Sequence, residues 1–487
     1  MLQRRQLRKY QNRAVEFTKK NRYSALFLDM GLGKTVSLLT AIVDLLKTRD
    51  IRRVLLVAPV RVMYGVWRQE ARKWEHTRHL RFKLLHGNEY YRIQAMNSGA
   101  EIHIINPEQL AWLIRVLAAY CKRKSYDFPY DMLAIDESSM FKNHKALRFK
   151  KLKPLLKRFK RRVIMTGTPS PNGLLDLWSQ MYIVDEGMRL GSAIDRYRRR
   201  FFQQADYNGY KFEANDGAEQ TINGLIRPVV LCMQAEDYID MPKIVRNVVY
   251  VDLPPDARAK YDRFEKEFFL DLDHGHVVDA ETAATLSMKC QQLANGMLYV
   301  NEEDDEGSVV ARHVVKIHDA KLKALEEIRE GTGDQLLIGF AFRHDLIGLQ
   351  KMFPQAKVMG GGNKGNARDT GTIIKQWQQR KVGELLVHPA SAAHGLDGLQ
   401  HACHTIVNFG LTYSLEWHLQ LMRRIQRPGQ PNPFVVAHYI VARNTVDEVI
   451  MAAIDRKAKG QQNIIDALKE YRTKKAMHAM SVGDLLS

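Results

Sequence analysis

The sequence predicts an α/β protein built as two similar doubly wound parallel-sheet lobes with helical insertions between them. Three observations carry this. Short, β-rich apolar runs alternate with longer helical patterns, five such runs fall in each half, and a glycine-lysine loop follows the first of them. Near-continuous Val/Ile/Leu runs of this length read as buried parallel strands. Strands alternating with helices imply right-handed βαβ units. At 487 residues the chain is too long for one hydrophobic core, so two or three domains are expected.

The runs of the first half are ALFLDM (25–30), RVLLVAP (53–59), IHIIN (102–106), MLAIDE (132–137) and RVIMTGT (162–168). Those of the second are QLLIGFAF (335–342), KVMGG (357–361), ELLVHPA (384–390), HTIVNFG (404–410) and FVVAHYIV (434–441). The middle of the chain differs. LLDLWSQMYIV, the basic cluster near Arg198 and DARAKYDRFEKEFFLDL look helical, whereas NEEDDEG (301–307) reads as an acidic loop. The tail from Thr445 carries Val446, Val449, Ile450 and Ile454 at helical spacing. The expected division is an N-terminal lobe over 1–235 with an insertion at about 174–225. A linker and helical protrusion over 236–318 and a C-terminal lobe with a helical tail over 319–487 complete it.

Hydrophobic residues make up 45% and charged residues 26% of the chain, ordinary values for a globular protein. No run of about 18 apolar residues could span a membrane. The basic N-terminus lacks the apolar stretch of a secretory signal, so the expected compartment is the cytoplasm of a bacterium or an infected host. The four cysteines are scattered without a CxxC pair, which argues against a zinc ribbon and a disulfide framework. His274, His276, His313 and His318 read as surface histidines flanking the acidic loop. The net charge of +20 favours a polyanionic partner. That charge is clustered: 142–162 holds eleven Lys or Arg and no acid, and Arg196, Arg198, Arg199 and Arg200 form a second group.

Residues LDMGLGKT (28–35) stand between a strand run and a helical pattern, the context a phosphate-binding loop requires. Gly31 and Gly33 let the backbone approach the anion, and amide N–H groups with the helix dipole bind it. Lys34 would reach the β- and γ-phosphates, and the Thr35 hydroxyl would ligate Mg²⁺. Asp136 and Glu137 end the run MLAIDE, and strand C-termini place carboxylates at the ligand edge of an α/β sheet. Asp136 would hold Mg²⁺, and Glu137 would act as general base toward water. In LQLMRRIQRPGQ (419–430), Arg424 and Arg427 are three apart, the spacing of one helix face, and two guanidinium groups suit a polyphosphate. They lie almost 400 residues from Lys34, in the other half, so the expected ATP site is completed across a cleft between lobes.

Read in order, these segments resemble the motifs of helicase superfamily two, and more closely the SWI/SNF-like ATPases. LRKYQ (7–11), DMGLGKT (29–35), VAPVRVMYGVWRQEARKW (57–74), INPEQL (105–110), DESSMFKN (136–143) and TGTPSPNGLLDLW (166–178) match the first-lobe motifs. LIGFAFRHDLIGL (337–349), HPASAAHGLDGLQ (388–400) and NFGLTYSLEWHLQLMRRIQRPGQ (408–430) match those of the second. The likeness runs from about residue 7 to residue 450 and is nearest to compact phage and bacterial members.

The resemblance implies two RecA-like lobes, ATP with Mg²⁺ as cofactors, and a DNA-dependent ATPase that moves along DNA, the double-stranded form being favoured. It places Gln11 on adenine. It places Arg61, Asn106, Lys142, Asn143, Ser170, Asn172, Arg343, His388, Ser391 and Tyr413 on nucleic acid. Trp67 and Trp74 read as core packing. Ser139 stands where the family's DEAH motif has histidine, and Asp397-Gly398 stands where one Asn is usual. Two alternatives remain open: a strand-separating or fork-remodelling helicase working with replication or recombination proteins, and the motor subunit of a restriction or defence complex. No nuclease or methyltransferase motif accompanies these segments.

Overall fold

The computed structural model describes residues 1–122, 128–171, 173–204, 212–238, 240–273, 280–303, 309–359, 367–392 and 398–458. The chain divides into two compact units, Met1–Asp240 and Met241–Ser487.

The first unit is built on strands β1 (Tyr23–Leu28), β2 (Val54–Val57), β3 (Phe82–Leu84), β4 (Ile102–Ile105), β5 (Met132–Asp136) and β6 (Arg161–Thr166). A short antiparallel hairpin follows, β7 (Phe202–Gln204) with β8 (Phe212–Ala214), and then β9 (Val230–Met233). Apart from the hairpin these form one seven-stranded sheet in the order β3-β4-β2-β5-β6-β1-β9. Every pairing in it is parallel. Alternate residues point to opposite faces. Ala25, Phe27, Leu55, Val57, Leu133, Ile135 and Ile164 bury one face in the main core with Leu113, Met181 and Ile183. The other residues of the same strands, such as Leu26, Leu56 and Ala134, are also buried. Burial on both faces is the reason these strands read as unbroken apolar runs.

The second unit contributes β10 (Lys243–Val251), the antiparallel pair β11 (Met297–Glu303) and β12 (Val309–Lys316), then β13 (Leu336–Gly339), β14 (Lys357–Met359), β15 (Glu384–Val387), β16 (Thr405–Asn408) and β17 (Phe434–Ala442). Its main sheet has six parallel strands in the order β10-β17-β16-β13-β15-β14. Helices Pro255–Asp273 and Ala280–Asn295 lie between β10 and β11, and the C-terminal helix is Val446–Ala458. It buries Val446, Val449, Ile450 and Ile454, the residues whose spacing predicted it.

All ten predicted strands are present, and three further strands join the sheets. β3 is too short to stand out, β9 follows the insertion directly, and β10 lies in the stretch expected to be linker. The acidic segment 301–307 is not wholly loop, because β11 runs through Glu303. Its residues 304–307 lie outside the described residues. His318 is buried rather than at the surface, with Nε2 2.8 Å from the Leu293 carbonyl. His313 is exposed, and His274 and His276 lie outside the described residues. No helix among the described residues is long and apolar enough to cross a membrane.

Candidate nucleotide site and nucleic-acid face

Strands β5, β6 and β1 are neighbours and parallel, so their C-termini emerge at one edge. That edge receives three things at once: the carboxylates Asp136 and Glu137, the Thr166-Gly167 turn, and the loop 29–35. Gly31 and Gly33 both have positive φ, 87° and 73°, which a side chain would strain. Helix Lys34–Lys47 starts directly after Gly33. A Cβ on Gly33 would also collide with the Gln11 amide nitrogen, so Gln11 lies against the phosphate loop. Gln11 is 9% exposed, and its Oε1 accepts the Arg8 N–H at 2.9 Å. The Lys34 ammonium donates to the carbonyls of Leu28 at 2.7 Å and Asp29 at 3.2 Å. Thr35 lies in the first turn of the same helix, half-buried.

Glu137 has φ 61° and ψ 64°, a left-handed conformation that costs a non-glycine residue about 1–3 kcal/mol. Its Oε1 accepts two hydroxyls, Thr166 at 2.6 Å and Ser139 at 2.8 Å. Ser138 donates to Gln180 Oε1 at 2.7 Å, and Gln180 Nε2 in turn donates to the Pro169 and Asp176 carbonyls. Helix Leu177–Asp185 thereby clasps the carboxylate loop to the TGTP turn. The Asp136 Oδ2 accepts the Trp67 indole N–H at 2.9 Å. Trp67 is therefore more than core packing. Sequence reasoning missed Trp67 and Thr166 as partners of the carboxylates. The position of Thr166 at a strand end was a usable signal, but nothing in the sequence shows which way Trp67 faces.

Burial, and then the charge of Glu137, push the Asp136 carboxyl up to about 6; the Trp67 N–H and Lys34 oppose this. A carboxyl raised in the fold stabilises the protein below its ordinary range, and that stabilisation is lost as pH rises through about 6. Ionised Asp136 thus costs roughly 2–3 kcal/mol above pH 6. Asp136→Asn is expected to melt several degrees higher than the parent at pH 7.5 in EDTA without nucleotide. The gain shrinks as pH falls from about 6 toward 4. A gain equal at both pH values, or none, would remove burial of the charge as the cause.

The second unit is built the same way. β15, β13 and β16 are adjacent, and their C-termini carry His388 and Ser391, Arg343, and the turn to Tyr413. His388 Nε2 lies 3.1 Å from the Ala341 carbonyl, joining two of these ends. Arg343 is exposed and Ser391 half-buried. Tyr413 is packed inward: its hydroxyl is 2.7 Å from Ser287 Oγ and burial raises its pKa. Helix Leu415–Met422 ends before Arg424 and Arg427, so the two do not share a helix face as expected. They lie in the turns that follow. Pro428 disfavours helical backbone at the residue before it, and Gly429 adopts φ 85°. Arg424 is 6% exposed and Arg427 half-buried.

In the first unit Asn106 is 5% exposed and donates to Glu108 at 2.7 Å, which takes it off the surface. Lys142, Asn143 and His144 instead share a cavity of about 340 Å³ with Leu175, Asp176, Ile194 and Arg198. That cavity brings the two basic clusters of the sequence together. Ser170 is half-buried in the TGTP turn. Asn172 and the side chain of Arg61 lie outside the described residues.

Comparison with known proteins gives the family. Residues 10–300 match the SNF2-related domain. The chain is 33% identical over 477 residues to protein p41 of Acyrthosiphon pisum secondary endosymbiont phage 1, covering 95% of this chain and 98% of that one. It is 24% identical over 462 residues to an uncharacterized ATP-dependent helicase of Mycoplasma genitalium, covering 93% of this chain but only 41% of the relative. The Sulfolobus solfataricus SWI2/SNF2 ATPase core in complex with dsDNA aligns over 91% of this chain and 90% of its own, at 22% identity and a TM-score of 0.41. The chain belongs to the SNF2-related family of ATP-hydrolysing helicases and translocases.

Proposed function

We propose that the protein is an ATP-driven motor that tracks DNA, with the double-stranded form as its preferred track. The observation that carries the reading is the convergence of the phosphate loop, Asp136, Glu137 and Thr166 at one edge of one sheet. Gln11 is assigned to the base, the amides of the loop and Lys34 to phosphate, and Glu137 to the attacking water. Arg424 and Arg427 are assigned to phosphate. Mg²⁺ fits the donor set: a hydroxyl, Thr35, lies in the first turn of the helix after the loop, and a half-buried carboxylate, Asp136, sits near Lys34. When bound there the ion would offset charge on the β- and γ-phosphates.

Lys142, Asn143, Ser170, Arg343, His388 and Ser391, with Arg61 and Asn172, are assigned to the nucleic-acid face. Such contacts are mostly to phosphate, hence sequence-tolerant and salt-dependent. The net charge of +20, and the cavity where Lys142 and Arg198 bring the two basic clusters together, support a polyanionic track. The test is ATP turnover with duplex DNA, single-stranded DNA, branched DNA and RNA as stimulators, each across a salt series. Duplex DNA is expected to stimulate most, with stimulation falling steeply between about 50 and 200 mM salt. Preference for RNA, or a flat salt response, would overturn the proposal. Preference for branched DNA with strand separation would favour a fork-remodelling helicase.

A further inference from the structure

Strand β2 pairs with β5 in register Val57↔Ile135, so the chain leaving β2 emerges beside Asp136. It then forms two short helices, Val60–Tyr64 and Val66–Lys73, with Gly65 between them. The first carries Arg61 and exposes Val60 and Tyr64; the Tyr64 hydroxyl lies 2.6 Å from His86 Nδ1. The second holds Trp67 in its first turn, fully buried and donating its indole N–H to Asp136 Oδ2. A buried indole N–H needs an acceptor. Here it takes a carboxylate oxygen assigned to the ATP site, and charge-assisted bonds of this kind set orientation as well as strength.

We propose that Trp67 is a positioning residue through which the nucleic-acid-facing segment 60–64 sets the orientation of the Asp136 carboxylate. The inference rests on the function proposed above. The bond holds Oδ2, so rotation of the carboxylate is tied to the placement of helix Val66–Lys73. That helix is separated by one glycine from the segment assigned to the track. A shift of Val60–Tyr64 on nucleic acid therefore moves the donor that orients Asp136. Ser139 stands where the family's DEAH motif has histidine, and its hydroxyl donates to Glu137 Oε1 at 2.8 Å. Partners of metal-holding side chains, when removed, typically cost 10–100-fold in metal affinity.

The test uses the full chain in two forms, Trp67→Phe and Trp67 replaced by β-(3-benzothienyl)alanine, which keeps the bicyclic ring shape and puts sulfur, with no hydrogen to donate, in place of the N–H. Binding of a fluorescent ATP analogue is titrated in EDTA and then against Mg²⁺. Affinity in EDTA is expected to match the parent, while half-maximal Mg²⁺ rises about tenfold. The ratio of DNA-stimulated to unstimulated turnover is expected to fall several-fold with DNA affinity unchanged. If both forms reproduce the parent's Mg²⁺ titration and stimulation ratio, Trp67 is core packing and the proposal is overturned. If Trp67→Phe melts, the ring-preserving form decides. A parent protein that no DNA stimulates would overturn the proposed function instead, and the Mg²⁺ titration would still judge Trp67.

Discussion

Glu137→Gln is expected to lower DNA-stimulated ATP turnover by at least about 100-fold while nucleotide and DNA affinities stay within a few-fold of the parent. The reason lies in how the carboxylate is held. Both hydroxyl donors, Thr166 and Ser139, fall on Oε1. Oε2 is then the oxygen left to receive a proton from water. Glutamine keeps the size and an acceptor oxygen for the two hydroxyls but has no basic oxygen. The left-handed backbone at position 137 directs the side chain whichever residue is present, so the substitution tests basicity rather than shape. Lys34→Ala is the informative contrast, because it removes the ammonium assigned to phosphate and should weaken nucleotide binding as well as turnover. Near-parental turnover by Glu137→Gln in a steady-state assay with saturating ATP would remove Glu137 as the general base. A loss accompanied by loss of nucleotide binding would make it a structural residue.

Most of this architecture was legible in the sequence because burial on both faces leaves a local mark. β2 (VLLV) and β13 (LLIG) are uninterrupted apolar runs, and such runs need no knowledge of neighbours. β10 shows the limit. Its residues 243–247 are exposed, Arg246 and Asn247 interrupt the apolar pattern, and it pairs only along one edge. The catalytic candidates divide the same way. Gly31 to Thr35 and Asp136-Glu137 are contiguous, so their chemistry is written in the residue order. The bonds Trp67–Asp136 and Thr166–Glu137 join residues 69 and 29 positions apart, and only the strand order β2-β5-β6 brings them together. The turn after Met422 was readable, because Pro428-Gly429 is a helix-stop signal. The spacing of the two arginines points the other way, and the stop signal is the stronger of the two. Asn106 is buried against Glu108, and Tyr413 is half-buried with its hydroxyl on Ser287, placements that a motif match does not show.

Lys321→Met is expected to destabilise the protein by about 3–5 kcal/mol, the cost of leaving one charge of a buried pair alone. Lys321 and Asp447 are both fully buried, with Nζ 2.6 Å from Oδ2. The ammonium also donates to Asn295 Oδ1 at 2.8 Å and to the Phe409 carbonyl at 3.4 Å. Asn295 passes its amide hydrogens to Asp345, 3.2 Å from both oxygens. Asp345 Oδ2 then accepts the N–H groups of Ala341 and Phe342. One network thus joins the start of the C-terminal helix, helix Ala280–Asn295 and the turn that presents Arg343. Well-packed apolar residues often match a buried ion pair for stability, but a single unpaired charge does not. Lys321→Met with Asp447→Asn should therefore recover most of the loss, since asparagine can still accept the Ala442 N–H that Asp447 takes at 3.0 Å. Chemical denaturation of the full chain measures both. A single variant within about 1 kcal/mol of the parent would show that water or a rearranged neighbour serves Asp447. A double variant no better than the single would show that the loss comes from the shape of the methionine. Recovery of stability without recovery of DNA affinity would place the network's role at the Arg343 turn, where the charged pair holds a loop in register that apolar packing alone does not.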